Sequence, residues 1–453
     1  METIANSGAD PLAEFIDAAC IPLGALHSSG TLERAEAIRL AHPGLADASV
    51  HAAAVLGDAE AVERFLLLDA ANATREGGPR AWDPLTHLCF SRYLRLDRSR
   101  AGGFLRAAKA LLDAGASPNT GFHSSDHQPV PEFESVIYGA AGIAHDAALT
   151  RLLLERGADP NDGETPYHSP EGFDNAAMQV IVESGRLDPV GLSTMLIRKL
   201  DWTDRDGVAW LLGHGADPNL VGRWRNRGLH HALLRDNPLH FLELLMDHAA
   251  DPKLRNQDGR SAFVYAAGMG RADALDLFER RGFAAPPEAD SGFLAACARA
   301  DEPRARSLVA TEPGLVARLE AQHPDLLANF AGAGNTAGVR LLLELGFDIE
   351  SRSQAPAMRG VTALHLAIWR ERLATVRLLL ERGARIEATN ARGETPLAMA
   401  VRALGERSEW TPHGSLEIVA ALLTAGARAD AVERFPTGSD EADALLRRYG
   451  NDA

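Results

Sequence analysis

The side chains best suited to chemistry are concentrated near the middle of the chain. In the segment DGETPYHSPEGFD, Tyr167, His168 and Glu171 follow a Thr-Pro pair that is typical of a helix start, and Pro170 falls within that helix. Proline in a helix interior removes a backbone hydrogen bond and costs about 3 kcal/mol or more. We therefore predict a short or broken helix, which would release these side chains from regular packing and allow them to line a pocket.

Cations and tryptophans are added by the segments that follow. Lys199, in MLIRKLDWTDRDG, is aligned with a small buried residue of the repeat described below, so it must pair with an acid such as Glu171, Asp201 or Asp204 unless its helix is rotated. The other candidates are Arg198, Trp202, Trp224, Arg227, His231 and Arg235. Histidine, acid and lysine side chains suit acid–base chemistry, whereas tryptophan and arginine are typical of protein-binding surfaces. Both interpretations remain open.

A metal site is the least supported of the chemical interpretations. His123, Asp126 and His127 lie in an insertion that also contains serines and prolines, and no second cluster of ligands is near them in sequence. Metal sites normally combine closely spaced ligand pairs. We favour a structural loop here and predict neither a metal nor a cofactor.

These residues belong to a chain that repeats. The stretch GVTALHLAIWRERLATVRLLLERGARIEATN, residues 360–390, predicts one helix that opens at Thr362 and a second, leucine-rich helix that Gly383 ends. Ala367 places a small residue where a neighbouring helix must approach. Glycine or alanine marks the end of the second helix at intervals of about 33 residues with some insertions. The markers are Gly115, Gly157, Gly185, Gly215, Ala249, Gly282, Gly346, Gly383 and Gly426.

The pattern resembles that of ankyrin repeats from about residue 49 to residue 434. The combination WDPLTHLCFSRYLRL, NDGETPYHSPE and LIRKLDW resembles long bacterial ankyrin-repeat proteins without assigned function. The resemblance implies an all-α solenoid of about eleven to twelve helix-turn-helix units. It further implies a concave face of finger turns and inner helices that binds partner proteins, and no catalytic residue set. For His365 and His230 it implies a structural role, bonding backbone groups between adjacent fingers.

The ends of the chain depart from the repeat pattern. We predict a divergent N-terminal capping repeat in residues 1–50, the repeat array in residues 51–434, and a C-terminal capping helix and tail in residues 435–453. Terminal repeats are often atypical because one of their faces meets water instead of a neighbour.

Composition narrows the classes of partner. The formal net charge of −16 disfavours nucleic acid and anionic membranes, and no basic run is long enough to override it. Three widely spaced cysteines indicate core residues in a reducing compartment, and no apolar run approaches the roughly 20 residues needed to span a bilayer. We predict a cytoplasmic, monomeric, non-catalytic scaffold for a protein or peptide. The alternative is a small-molecule or catalytic pocket in residues 162–237.

Overall fold

The computed structural model describes residues 10–23, 27–124, 132–221, 226–285, 290–355, 358–405, 414–432, 437 and 439–450. Helices joined by short turns make up most of this part of the chain. The chain forms two compact units, Met1–Arg223 and Trp224–Ala453, which are described in turn as unit 1 and unit 2. The repeated helix pairs confirm the predicted all-α repeat fold.

Unit 1 is built from helix pairs in which first helices pack on first helices and second helices on second helices. Short polar side chains cap many of these helices, as Asp58 and Asp204 do at the starts of two second helices. The helices are α1 (Pro11–Ala19), α2 (Glu33–Ala41), α3 (Leu45–Ala48), α4 (Val50–Leu56), α5 (Ala59–Leu68), α6 (Pro84–Cys89), α7 (Arg92–Leu96), α8 (Ala101–Asp113), α9 (Val136–Tyr138), α10 (Ala147–Glu155), α11 (Glu164–His168), α12 (Ala176–Glu183), α13 (Pro189–Asp201) and α14 (Arg205–Gly213). One turn of π-helix, Gly139–Ile143, continues α9.

An antiparallel hairpin interrupts the helices of unit 1. Strands β1 (Gly121–Ser124) and β2 (Glu132–Ser135) pair so that Phe122 lies opposite Glu134. The Phe122 ring stacks on Trp82 with ring centroids 4.3 Å apart, and Trp82 is buried. This aromatic contact fixes the hairpin to the repeats and accounts for Trp82 as a core residue.

Unit 2 continues the helix pairs and contains the most regular repeat. In that repeat the Thr362 hydroxyl and the His365 side chain form a capping box at the start of the first helix. The helices are α15 (Gly228–Leu234), α16 (Leu239–Asp247), α17 (Ala262–Gly268), α18 (Ala272–Arg280), α19 (Ser291–Ala298), α20 (Glu302–Thr311), α21 (Leu315–Gln322), α22 (Leu326–Gly332), α23 (Thr336–Glu344), α24 (Ala363–Trp369), α25 (Leu373–Glu381), α26 (Pro396–Gly405), α27 (Leu416–Thr424) and α28 (Asp440–Gly450).

The core of each unit consists of alanine, leucine and phenylalanine side chains between the helix layers. Cys20, Cys89 and Cys297 are buried and unbridged, and burial raises the pKa of the Cys297 thiol to about 12. Among the described helices, none combines the length and the apolar character needed to cross a membrane.

Candidate functional site

The first helix of the irregular repeat is short, as predicted from Pro170. Helix α11 covers five residues, whereas the corresponding helix α24 of the regular repeat covers seven. After His168 the chain leaves the helix and runs through residues 169–175 before α12 begins. The break places Tyr167, His168 and Glu171 at the end of a truncated helix, where Tyr167 and Glu171 contact Arg198 of the next repeat.

His168 differs in its surroundings from the histidines at the same repeat position. His365 bonds to the Glu394 backbone carbonyl, and burial lowers the pKa of the His365 imidazole. His168 instead lies between two carboxylates, with Nε2 3.1 Å from Glu164 and Nδ1 3.0 Å from Glu171. Burial by itself would lower the pKa of His168, but these two hydrogen bonds outweigh burial and raise the pKa to about 9. His168 is therefore a cation at neutral pH.

Arg198 of α13 joins this group from the neighbouring repeat. Its guanidinium donates to Glu171 at 2.6 Å and also pairs with Asp201. The same guanidinium lies 4.1 Å from the centre of the Tyr167 ring, and its Nε donates to the Tyr167 backbone carbonyl. A guanidinium that stacks on a ring and donates to three separate acceptors suits arginine in a way that lysine would not match. We call Glu164, His168, Glu171, Arg198 and Asp201 the His168 cluster.

Lys199 is buried and paired with an acid, as predicted. Its side chain is fully buried, and its Nζ donates to Asp204 at 2.9 Å and to the Gly172 carbonyl at 2.8 Å. Room for the side chain comes from Gly207, where an added Cβ would lie 2.7 Å from the Lys199 Cδ. Helix α13 is continuous at Lys199. Because Lys199 bonds to Asp204 and to the Gly172 carbonyl, it fixes the chain that follows the broken helix α11 and is not a free cation.

Glu134 adjoins the His168 cluster and was not a candidate from sequence. The residue is fully buried, and neither carboxyl oxygen has a hydrogen-bond partner. Burial, with a smaller contribution from Glu164, raises the pKa of Glu134 to about 8. A buried carboxyl in this condition costs free energy when it ionises, and such groups are more frequent at functional sites than elsewhere.

The π-helical turn brings its backbone against the same cluster. A Cβ at Gly142 would lie 2.7 Å from the Tyr138 ring and 2.8 Å from the His168 Cβ, so only glycine fits. The Tyr138 ring lies 5.1 Å from the His168 ring, and the Tyr138 hydroxyl bonds to Nδ1 of His27. π-Helical turns often accompany functional sites.

The remaining candidate of unit 1, Trp202, contacts an aromatic side chain that is exposed. Trp202 is buried and makes an edge-to-face contact with Phe173 at 6.1 Å. Phe173 itself is 67% exposed, and it was not predicted as a site residue. We call Tyr167, Phe173 and Trp202 the aromatic edge. These residues lie at or just after the C-terminal ends of α11 and α13.

The other candidates belong to unit 2 or lie outside the described residues. Trp224 is outside them. The Arg227 guanidinium donates to the Arg255 carbonyl at 2.9 Å, His231 is buried, and Arg235 is exposed. Their membership of one site with the His168 cluster therefore stays a prediction.

Of the three candidate metal ligands, His123 alone lies within the described residues. His123 lies on β1 with its ring 5.1 Å from the Phe133 ring, whereas Asp126 and His127 are outside the described residues. Elsewhere in the described part of the chain, no three His, Cys, Asp or Glu side chains are arranged to hold a metal ion.

An ion-pair centre in unit 2 also escaped prediction. Asp236, whose side chain is 9% exposed, pairs with Arg271 at 3.1 Å and with Arg372. Arg370 extends past it to donate to the Arg235 and Leu234 carbonyls. These bonds join the C-terminal ends of α15 and α24, although Asp236 and Arg372 are 136 residues apart in sequence.

The comparisons agree with the repeated helix pairs. A family model of ankyrin repeats matches residues 294–390 and 326–433. Residues 294–433 therefore contain ankyrin repeats, and ankyrin repeats generally mediate protein–protein interactions. No curated protein in the comparison matches the chain.

Two solved structures are similar over about half of the chain. The ankyrin repeat domain of Bcl-3, described as a unique member of the IkappaB protein family, is 22% identical and covers 56% of this chain and 97% of its own, with a TM-score of 0.25. The human ASB11 ankyrin repeat domain is 21% identical and covers 51% of this chain and 96% of its own, with a TM-score of 0.24.

Proposed function

We propose that the chain is a non-catalytic scaffold that binds a protein or peptide through its fingers and first helices. The observation that carries this proposal is Phe173, a large apolar side chain left mostly in water beside Trp202. Aromatic side chains at the centre of a contact surface contribute much of the binding energy of protein complexes. The aromatic edge supplies one exposed and two largely buried rings at the ends of neighbouring first helices.

The His168 cluster supports this surface by holding it in place. Both imidazole nitrogens of His168 face carboxylates, and Arg198 and Lys199 are each engaged by an acid and by a backbone carbonyl. Catalysis would require a base or nucleophile that can reach substrate. These side chains instead bond to one another, so the geometry favours a rigid support for Tyr167 and the residues around Phe173.

We further propose that the chain acts as a monomer in the cytoplasm, that its partner is neither nucleic acid nor membrane, and that residues 1–50 and 435–453 cap the array. Light scattering after gel filtration tests the monomeric state, and fractionation of native cells tests the location.

The test is affinity capture from a lysate of the native cells with three baits. The parent chain, Phe173→Ser and Leu67→Ser each enter the assay, and the folded state of each is checked by circular dichroism. Leu67 is the matched control because it is 88% exposed and lies on the second helix α5. We expect a protein captured by the parent and by Leu67→Ser but lost with Phe173→Ser. Equal capture by all three baits would exclude the aromatic edge as the contact surface.

A further inference from the structure

A pocket in unit 2 lies at the finger edge of the first helices. It has a volume of about 110 Å³ and lies between the finger that ends at Ser261, helix α17 and the segment that leads into α22. Val264, Leu294 and Leu326 supply apolar wall, and Tyr265 supplies an aromatic wall. A volume of this size admits one side chain of a partner rather than a complete small ligand.

The polar end of the pocket carries an unsatisfied acceptor. Oδ1 of Asp325 is buried without a hydrogen-bond partner, although Asp325 occupies the N-cap position of α22. N-cap aspartates usually accept a backbone N–H, as Asp301 does at the start of α20. Asp325 makes no such cap bond, so this oxygen lacks the N–H donor that a helix start usually supplies.

We infer that this pocket binds an arginine side chain of the partner, an inference that rests on the proposed scaffold function. Arginine matches these lining residues: its methylene groups suit Val264 and Leu294, its planar cation suits an aromatic ring such as Tyr265, and its N–H groups suit Asp325. No other natural side chain combines an apolar stem with a planar cation that carries several N–H donors.

The charged groups around the pocket are of both signs. Burial, followed by the charge of Arg260, lowers the pKa of His323, so this lining residue is neutral at pH 7 and can accept a hydrogen bond. Arg260 is the opposing charge among the described lining residues, but it is exposed and its field is screened by solvent. The formal net charge of −16 attracts basic partners over longer distances.

The probe for the test is N-acetyl-L-arginine amide, with N-acetyl-L-citrulline amide as the uncharged isostere. Saturation-transfer NMR on the full chain measures the dissociation constant of each. We expect binding of the arginine probe, with at least about tenfold weaker binding of the citrulline probe and of the arginine probe to Asp325→Asn, because the charge-assisted bond is lost. Asp206→Asn, an exposed acid of α14 in unit 1, is the matched control and should bind as the parent does.

A second pair of variants tests the aromatic wall. Tyr265→Phe keeps the ring and should bind the probe like the parent, whereas Tyr265→Leu should bind at least about threefold more weakly because the cation–π contact is lost. Equal binding of the arginine and citrulline probes, or equal binding to the parent and Asp325→Asn, would overturn the inference.

The two proposals fail independently in these tests. The arginine probe needs no protein partner, so its binding to the pocket is measured whether or not a protein is captured through Phe173. If a protein is captured through Phe173 but the probe does not bind, only the arginine pocket is refuted. If the probe binds but no protein is captured, the scaffold function is refuted and the arginine site stands.

Discussion

The variant Glu134→Gln should be more stable than the parent protein at high pH, and its advantage should grow as the pH rises. Glu134 is fully buried, both carboxyl oxygens lack partners, and its pKa is raised from 4.5 to about 8. A raised pKa means that the folded state holds the proton more tightly than the unfolded state. The stability that this provides is complete below pH 4.5 and is lost as the pH rises to about 8.

The magnitude follows from the size of the shift. A shift of about 3.5 units corresponds to at most about 5 kcal/mol between pH 4.5 and pH 8. Ionisation would draw water and the His168 cation toward the carboxylate, so we expect about 2 kcal/mol. The charged groups that act on Glu134 are Glu164, His168, Glu132 and Asp162. Glutamine cannot ionise and should therefore avoid this loss.

The assay is urea unfolding of the parent, Glu134→Gln and Glu132→Gln at pH 5, 7 and 8.5, with hydrogen exchange of the hairpin as a local readout. Glu132 is the matched control because it lies two residues earlier in the same strand and is more exposed. Glu134→Gln should gain about 2 kcal/mol over the parent between pH 5 and pH 8.5, and Glu132→Gln should follow the parent. Parallel curves for the parent and Glu134→Gln would refute the assignment of Glu134 as a buried, unpaired acid.

Three further substitutions test the ionic contacts. Because the pKa of His168 is raised to about 9, the stability that its charge contributes is present below pH 6.5 and is lost as the pH rises through 9. His168→Gln should lower the unfolding free energy by about 1–2 kcal/mol at pH 7 and should abolish this pH dependence. An unaltered pH profile would contradict the ion pairs. Lys199→Met should cost about 3 kcal/mol because it leaves Asp204 without its cation, and adding Asp204→Asn in a double-mutant cycle should recover part of it; simple additivity would rule out the pair. Asp236→Asn should lower the unfolding free energy by about 2–3 kcal/mol and speed hydrogen exchange at the ends of α15 and α24, whereas unchanged exchange would show that the contact is unimportant.

The irregular residues near Pro170 could be recognised from sequence because each repeat can be aligned with the most regular repeat of the same chain. The regular repeat has histidine, then a small residue, at His365 and Ala367. Departures at Pro170 and Lys199 therefore stand out position by position, and the physical reasons for them predict a broken helix and a paired lysine. Both consequences are present in the structure.

Features that depend on distant partners could not be predicted in this way. Asp236 lies in an ordinary turn sequence, and its partner Arg372 comes four helix pairs later, so periodicity gives no signal for the pair. Glu134 lies in an insertion to which the repeat alignment does not extend. Phe173 follows the helix break directly, but one apolar residue in a loop does not indicate whether it will be buried.

Photocrosslinking at position 173 in native cells tests the scaffold function most directly. The chain would carry p-benzoylphenylalanine in place of Phe173 and, in a matched strain, in place of Leu67. A protein contact at the aromatic edge should yield a discrete adduct from position 173 and none of the same mass from position 67. If position 173 yields no adduct, or the same adducts as position 67, the aromatic edge does not bind a protein partner.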